Sequence, residues 1–477
     1  MTKQSISMQA LMATSGVQFG TSGARGLVAS MSDELCFAYT LAFLQLLPFK
    51  SGGRVAMAMD LRPSSITIAS ACAAAIRYVG LQVEWCGAIP TPALALYAQQ
   101  HNIPALMITG SHIPFDRNGI KFYGLQGEIT KDDEMAISAA NVDLPHGPYT
   151  EDLPEVNHSA RQTYIARYLN FFEPNFLAGK RIGFFEHASV ARDLFTSILK
   201  ALGAEVIALG RSDTFVSIDT EAVSEVDIKR AQAWAAEYAF DAIISTDGDG
   251  DRPLIGDENG QWLRGDIVGL LCARYLGAQS VATPVSCNTA VELCKSFSKV
   301  VRTRIGSPYV ISAMSQMQAS GQQKIIGFEA NGGFLVGSNF EINGRILAPL
   351  PTRDALLPIL SLLAMSKSCK LSQLTQNLPQ RFTASDRLQS FSNETSLQIL
   401  RELAASASAM NALVGKLGGK FKAVDQTDGL RITLGNGDIV HLRQSGNAPE
   451  LRCYAEANTQ VGALMLARDA LSLVVTN

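Results

Sequence analysis

The sequence predicts an α/β protein built from three similar α/β domains with mixed, mostly parallel sheets and a C-terminal α+β domain. Three observations carry that reading. At 477 residues the chain is too long for one core, since domains average about 150 residues. Short β-rich apolar runs alternate with helical segments three times over, which is the signal for βαβ units. The last hundred residues break that rhythm.

Taken in order, residues 54–59, 81–86 and 104–109 read as the strands of the first unit. Residues 180–185, 204–209 and 241–246 are those of the second, and 280–283, 300–304 and 324–328 those of the third. Joints fall near 150–160, 258–265 and 367–375. In the tail, Thr395 with Gln398 reads as a capping box ahead of the helical positions Leu397, Leu400 and Leu403. Leu430, Ile432 and Leu434 alternate before an Asn436-Gly437 turn, the signature of a hairpin, and Leu451, Cys453 and Ala455 mark another strand.

Composition excludes several classes. Hydrophobic residues make up 47% and charged ones 17%, less charge than an average soluble chain, so large buried cores are expected and disorder is not. A net charge of −3 without basic runs excludes the electrostatic footprint of a nucleic-acid binder. The most apolar stretches, 41–49 and 356–365, are far shorter than the roughly 20 residues a bilayer crossing needs. The first 20 residues lack a secretory pattern, and a cytoplasmic protein is expected. Eight cysteines without a Cys-x-x-Cys pair indicate neither a zinc site nor a disulfide framework; they read as reduced core thiols. His101, His146, His158, His187 and His441 read as surface or structural residues.

In each α/β unit the third strand runs into an unusual loop: Gly110-Ser-His-Ile-Pro114, Asp247-Gly-Asp-Gly-Asp251 and Glu329-Ala-Asn-Gly-Gly333. Ligands of open α/β sheets bind beyond the carboxyl ends of strands, so these loops are candidate walls of one site. Asp247, Asp249 and Asp251 would repel one another unless a cation sits among them, and oxygen donors favour a hard ion such as Mg²⁺. An EF-hand reading, with Glu258 at the twelfth position, fails because Arg252 stands where the sharp turn needs glycine. Arg252 beside a carboxylate cage suggests instead that a second anion approaches the metal.

Ser111 follows Gly110 in a geometry expected to expose its hydroxyl. An acyl-transfer serine is not predicted, because the Gly-x-Ser-x-Gly elbow is missing and His112 would point away in an extended chain. A phosphorylated Ser111, in company with Lys121, could complete the metal site. In the tail, Arg443, Ser445, the backbone of Gly446 and Asn447, and Arg452 form a donor set suited to a phosphate dianion. Gly20-Thr-Ser-Gly-Ala-Arg-Gly26 carries Arg25 but lacks the ending of a P-loop, so no nucleotide site is expected.

The ordered set Phe19-Gly-Thr-Ser-Gly-Ala-Arg-Gly26, Thr109-Gly-Ser-His-Ile-Pro114 with Asn118-Gly-Ile-Lys121, Asp247-Gly-Asp-Gly-Asp-Arg252 and Arg443-Gln-Ser-Gly-Asn-Ala-Pro449 resembles the α-D-phosphohexomutases, the bacterial phosphomannomutase and phosphoglucomutase superfamily. Asp60-Leu-Arg-Pro-Ser-Ser65, Gly87-Ala-Ile-Pro-Thr-Pro92 and Arg302-Thr-Arg-Ile-Gly306 are supporting echoes. The resemblance spans essentially the whole chain. It implies four domains around a central active-site cleft: 1–155 with the phosphoserine loop, 156–260 with the metal loop, 261–370 with the sugar loop and 371–477 with the phosphate loop.

By the same resemblance, Ser111 would carry the phosphoryl group, and Asp247, Asp249 and Asp251 would hold Mg²⁺ with a phosphoserine oxygen. Lys121, Arg25 and Arg252 would stabilise charge and move protons, with His112 among the catalytic groups. Glu329 and Asn331 would bind sugar hydroxyls, and Arg443, Ser445, Gly446, Asn447 and Arg452 the idle phosphate. The implied reaction interconverts hexose 6-phosphate and hexose 1-phosphate through a hexose 1,6-bisphosphate, which also activates the enzyme. Sugar phosphates would be its partners, with neither nucleic acid nor membrane, in a monomer or homodimer.

Mannose phosphate ranks first, ahead of glucose and N-acetylglucosamine phosphates. One hydroxyl orientation is worth only about 1–3 kcal/mol, so the sequence leaves that ranking open. Two departures stand out. Many relatives read Gly-Glu-x-Ser-Gly-His in the sugar loop, whereas here Asn331 replaces the serine and Gly333 the histidine, and in the phosphate loop Gln444, Asn447 and Ala448 replace Pro, Thr and Glu. Two other readings remain at this point: a haloacid-dehalogenase-type phosphatase using Asp247, which leaves Ser111 and Arg443 unexplained, and a non-catalytic sugar-phosphate binder.

Overall fold

A computed structural model describes residues 4–20, 22–48, 52–445 and 450–475. The chain forms two compact units, Met1–Gly277 with Asn331–Ser372, and Ala278–Ala330 with Gln373–Asn477.

The first unit contains two sheets with one plan. In the first sheet Arg54–Met59 lies between Gln82–Ala88 and Ala105–Ile108, all parallel, and Arg117–Gly124 closes the set antiparallel to Ala105–Ile108. Ala24–Leu27 extends it antiparallel to Arg117–Gly124. In the second, Arg181–Phe185 lies between Glu205–Leu209 and Ala242–Thr246, and Pro253–Gly256 closes it antiparallel. The earliest strand of each set is therefore central, which leaves a fork between diverging connections where the third strand ends. Both candidate loops of this unit, after Ile108 and after Thr246, open at that end.

Hydrophobic patterning explains the core. The helix Asp33–Gln45 starts at Ser32, whose side chain accepts from Leu35 N–H, and every residue from Leu35 to Leu44 is buried. It packs on Ser65–Tyr78, whose small residues Ala69, Ala71, Cys72, Ala73 and Ala75 permit close approach. The apolar run at 356–365 is a buried helix, Leu356–Met365, packed on Gly265–Leu276. Among the described residues no helix is long and apolar enough to cross a membrane.

The second unit repeats the plan with Ser280–Pro284 between Lys299–Thr303 and Ile325–Phe328, all parallel. It then builds a five-stranded antiparallel sheet in the order Phe382–Leu388, Leu451–Ala457, Ile439–Gln444, Leu430–Leu434, Phe421–Asp425. The expected hairpin joins Leu430–Leu434 to Ile439–Gln444. The capping box at Thr395 is corrected: the helix Asn393–Ala405 begins three residues earlier, at Ser392, which accepts from Thr395 N–H. Gln398 donates to Glu402 instead. A serine followed by Asn393 and Glu394 offers the earlier cap, and Glu394 also places an acid in the first turn. The cysteines are free thiols, and Cys294 and Cys369 alone among them are partly exposed.

Candidate active site

The serine loop is held from beneath by a buried ion pair. Ala105–Ile108 delivers the chain to Thr109, whose Oγ1 donates to Asp60 Oδ2 at 2.7 Å and accepts from Ser111 N–H at 2.7 Å. Asp60 also accepts from Ser65 Oγ and Arg62 N–H. Arg62 pairs with Asp60 at 3.2 Å and spends its remaining donors on backbone carbonyls: Ser111 at 3.0 Å, Ile113 at 2.6 Å, Pro114 at 2.7 Å and Arg117 at 2.9 Å. A side chain at Gly110 would stand 2.6 Å from Arg62 Cζ, so only glycine lets the loop lie on this clamp.

Two expectations about Ser111 are corrected here. Its side chain is fully buried rather than exposed. Its φ is 52°, so the chain turns left-handed instead of running extended, and His112 Nδ1 comes to 3.3 Å from Ser111 Oγ.

The aspartate loop meets this serine. Asp247 Oδ1 accepts from Asp251 and Arg252 N–H at 3.2 Å each, and Asp247 Oδ2 accepts from Ser111 Oγ at 2.5 Å. Gly248 makes the approach possible, because a Cβ there would lie 2.8 Å from Ser111 O. Asp249 Oδ2 accepts from Lys121 Nζ at 2.6 Å and from Thr91 Oγ1. Asp251 Oδ2 accepts from Lys121 Nζ at 2.7 Å and from Arg353 Nε and Nη2 at 3.0 and 2.9 Å.

The partner oxygens, Asp249 Oδ1 and Asp251 Oδ1, are buried with no hydrogen-bond partner among the described residues. Arg252 Nε stands 3.7 Å from Asp251 Oδ1, an ion pair too long for a hydrogen bond, and buried carboxylate oxygens left without hydrogen bonds are costly unless something else satisfies them. One oxygen from each of the three aspartates lies within 4.8 Å of the others, and an all-oxygen set of this kind suits a hard divalent cation. Glu258, the twelfth residue in the EF-hand count, is engaged with Ser372.

The electrostatics are strongly biased. Burial, then Asp249 and Asp251, push the Asp247 carboxyl well above its usual range. Burial would raise Asp251 too, but Arg353, Lys121 and Arg252 overcome it and hold Asp251 below that range. Burial and the neighbouring Arg252 and Arg353 bring Arg25 down to about 10. Burial, then Arg252 and Arg25, hold His112 well below the usual histidine value. The imidazole is therefore neutral, and its Nδ1 accepts from Arg252 Nη1 at 2.9 Å.

Lys121 comes from the antiparallel strand Arg117–Gly124, and Arg25 pairs in register with Gly119 of that strand. Ser111, His112, Asp247, Asp249, Asp251, Lys121, Arg252 and Arg25 thus share one centre, buried but for the half-buried His112 and Arg25. Asn331 belongs to the same unit, its Oδ1 accepting from Gly333 N–H at 2.9 Å and its carbonyl from Thr220 Oγ1.

Glu329 belongs to the second unit, buried directly after Ile325–Phe328. There Arg443, Arg452 and Arg387 stand side by side on three neighbouring strands. Arg452 pairs with Glu450 at 3.0 Å and Arg443 with Asp428 at 3.5 Å, while Ser445 N–H donates to Glu450 O. Gly446 and Asn447 lie outside the described residues.

Sequence reading missed Arg353, Thr91 and the function of the Asp60–Arg62 pair. The last two fall within motifs noted only as echoes. The only hint of Arg353 was the glycine at 333.

This centre defines an enzyme of phosphoryl transfer: a buried serine hydroxyl on a carboxylate cage ringed by fixed cations. Sequence comparison agrees. The chain matches phosphoglucomutase/phosphomannomutase alpha/beta/alpha domain I over residues 16–142, alpha/beta/alpha domain III over 264–382 and the C-terminal domain over 394–471. It is 51% identical to a phosphomannomutase of Salmonella muenchen over 96% of this chain and 95% of that one. A phosphoglucosamine mutase of Aliivibrio fischeri is 30% identical over 74% of this chain and 79% of its own length. The fold is similar to the crystal structure of a putative phosphomannomutase from Thermus thermophilus, with a TM-score of 0.76 at 20% identity over 96% of this chain and 99% of that one. The chain belongs to the phosphoglucomutase/phosphomannomutase family, within the α-D-phosphohexomutase superfamily, and is an isomerase that transfers a phosphoryl group.

Proposed function

We propose that this enzyme interconverts mannose 6-phosphate and mannose 1-phosphate. The observation that carries the chemistry is the 2.5 Å contact between Ser111 Oγ and Asp247 inside a cage with two unsatisfied carboxylate oxygens. The 51% identity to a phosphomannomutase favours mannose over the amino sugars.

In this reading Ser111 carries a phosphoryl group and gives it to the free hydroxyl of a bound hexose phosphate. The P–O bond to Ser111 breaks as the bond to the sugar oxygen forms, the sugar hydroxyl's proton ends on the freed Ser111 Oγ, and a hexose 1,6-bisphosphate results. After the bisphosphate turns over, its other phosphate returns to Ser111 and the isomeric monophosphate leaves. Asp247, Asp249 and Asp251 would hold Mg²⁺, which when bound neutralises charge on the moving group. Arg25, Arg252 and Lys121 surround the serine with fixed positive charge, and the neutral His112 lies within reach of Ser111 Oγ for proton exchange. Glu329 and Asn331 bind sugar hydroxyls. Arg443, Ser445, Gly446, Asn447 and Arg452 grip whichever phosphate is idle, exchanging the carboxylate partners of the two arginines for phosphate oxygens. These roles follow a division into four domains ending near residues 155, 260, 370 and 477, in a cytoplasmic monomer or homodimer.

Phosphorus NMR tests the proposal, using mannose 1-phosphate with Mg²⁺ and a trace of hexose bisphosphate. Ser111-dependent conversion to mannose 6-phosphate is expected, faster than the parallel reactions of glucose and N-acetylglucosamine 1-phosphates. Release of inorganic phosphate, or no conversion of any sugar, would contradict it.

A further inference from the structure

Gly333 and Arg353 depend on each other. The strand Phe334–Val336 pairs antiparallel with Leu350–Asp354, Phe334 opposite Asp354, which brings Gly333 against the Arg353 side chain. A Cβ at position 333 would stand 2.6 Å from Arg353 Cδ and 2.8 Å from its Cγ. Glycine here is the condition for the arginine to lie along this path. The strand end is fixed as well: Asp354 accepts from Tyr164 Oη at 2.7 Å, from Tyr168 Oη and from Leu356 N–H. Arg353 is 2% exposed, and its Nε and Nη2 both end on one atom, Asp251 Oδ2.

That geometry limits what Asp251 can offer an ion. With Oδ2 held by Arg353 and Lys121, only Oδ1 is left to coordinate. Asp249 is restricted in the same way, since Lys121 and Thr91 hold its Oδ2. Mg²⁺ takes single oxygens in a tight octahedron, whereas the larger Ca²⁺ takes six to eight and readily uses both oxygens of a carboxylate. We infer that Arg353, admitted by Gly333, is a positioning residue that makes Asp251 a one-oxygen ligand and thereby selects Mg²⁺ over Ca²⁺. The inference rests on the proposed reading of the three aspartates as a cation site.

The test measures binding rather than turnover. Mg²⁺ and Ca²⁺ are titrated separately into the full-length, unphosphorylated protein by calorimetry, for wild type, Arg353→Met, Arg353→Lys and Gly333→Ala. Removing a nearby positive charge strengthens both divalent ions together, so the ratio of their dissociation constants isolates the geometric effect. Arg353→Met should move that ratio toward Ca²⁺ by about tenfold, because Asp251 Oδ2 then keeps only its Lys121 donor and the carboxylate can turn its second oxygen toward the ion. Arg353→Lys should move it less. Gly333→Ala, which displaces the guanidinium without deleting it, should move it the same way and carries the test if Arg353→Met fails to fold. An unchanged ratio in Gly333→Ala and the Arg353 variants, with both ions still binding, would overturn the inference and leave the cation site standing. If wild type bound neither ion, the site reading would fall and the inference with it.

Discussion

The serine–aspartate centre and the arginine row of the second unit both concentrate charge, and they hold it differently. In the first, Ser111, the three aspartates, Lys121 and Arg353 are buried, each tied to side chains or backbone from other strands. In the second, Arg443 and Arg452 are partly exposed and paired with Asp428 and Glu450. A buried, multiply tied group cannot reorient cheaply, which suits a reaction needing sub-ångström placement. The longer Arg443 pair and the partly exposed Arg452 pair leave these arginines freer to take another anion than the multiply tied groups of the first region. In the proposed function, chemistry falls to the rigid region and recognition to the exchangeable one.

Substitutions should separate the two regions in graded fashion. Ser111→Ala should cost at least about a thousandfold in turnover, since it removes the oxygen proposed to carry the group; steady-state assay with saturating bisphosphate reads it. Lys121→Met strips a shared cation from two buried carboxylates and should lower stability by about 3–5 kcal/mol, the usual consequence of breaking a buried pair from one side. Denaturant melts should show it, and added Mg²⁺ should recover more of the midpoint than in wild type. Arg62→Lys loses most of the bonds to the four loop carbonyls, and turnover should fall about a hundredfold with KM little changed, as for a misplaced reacting group. Arg443→Met should instead raise KM about tenfold with turnover nearly intact, if it binds the idle phosphate as proposed. An equal effect of Arg62→Lys and Arg443→Met on KM would erase the distinction between the regions.

A further effect is on pH. Burial is the main cause lowering His187 and His441 to about 4, against about 6.5 in an unfolded chain. The unfolded state then binds more protons, so stability is full above pH 6.5 and declines as pH falls toward 4. Thermal melts across that range should show the decline, and His187→Gln should flatten part of it.

Much of this was legible in the sequence. All nine strands of the three repeated units were readable: the inner ones are fully buried, and even the partly exposed edge strands Gln82–Ala88, Glu205–Leu209 and Lys299–Thr303 keep short β-rich runs between turn signals. The aspartate loop and Ser111 were readable because alternating glycines and unusual polar residues directly follow such strands. Arg353 was not: a single arginine near the end of a strand has no local signature, and its importance comes from an antiparallel pairing that brings it to Gly333. The burial of Ser111 was hidden for a similar reason. The positive φ at Ser111 goes with a loop whose carbonyls are gathered onto Arg62, a pairing that spacing alone does not reveal. The misplaced cap at Thr395 reflects a choice between two hydroxyls three residues apart, decided in favour of the one followed by an acid.

The most direct test is the site of phosphorylation. The full-length protein is incubated with mannose 1,6-bisphosphate, quenched in acid, digested, and its peptides examined by mass spectrometry. Phosphate on the peptide carrying Ser111, acid-stable and absent from Ser111→Ala, is the predicted result. A hydroxylamine-labile phosphate on Asp247, or none on either residue, would contradict the account.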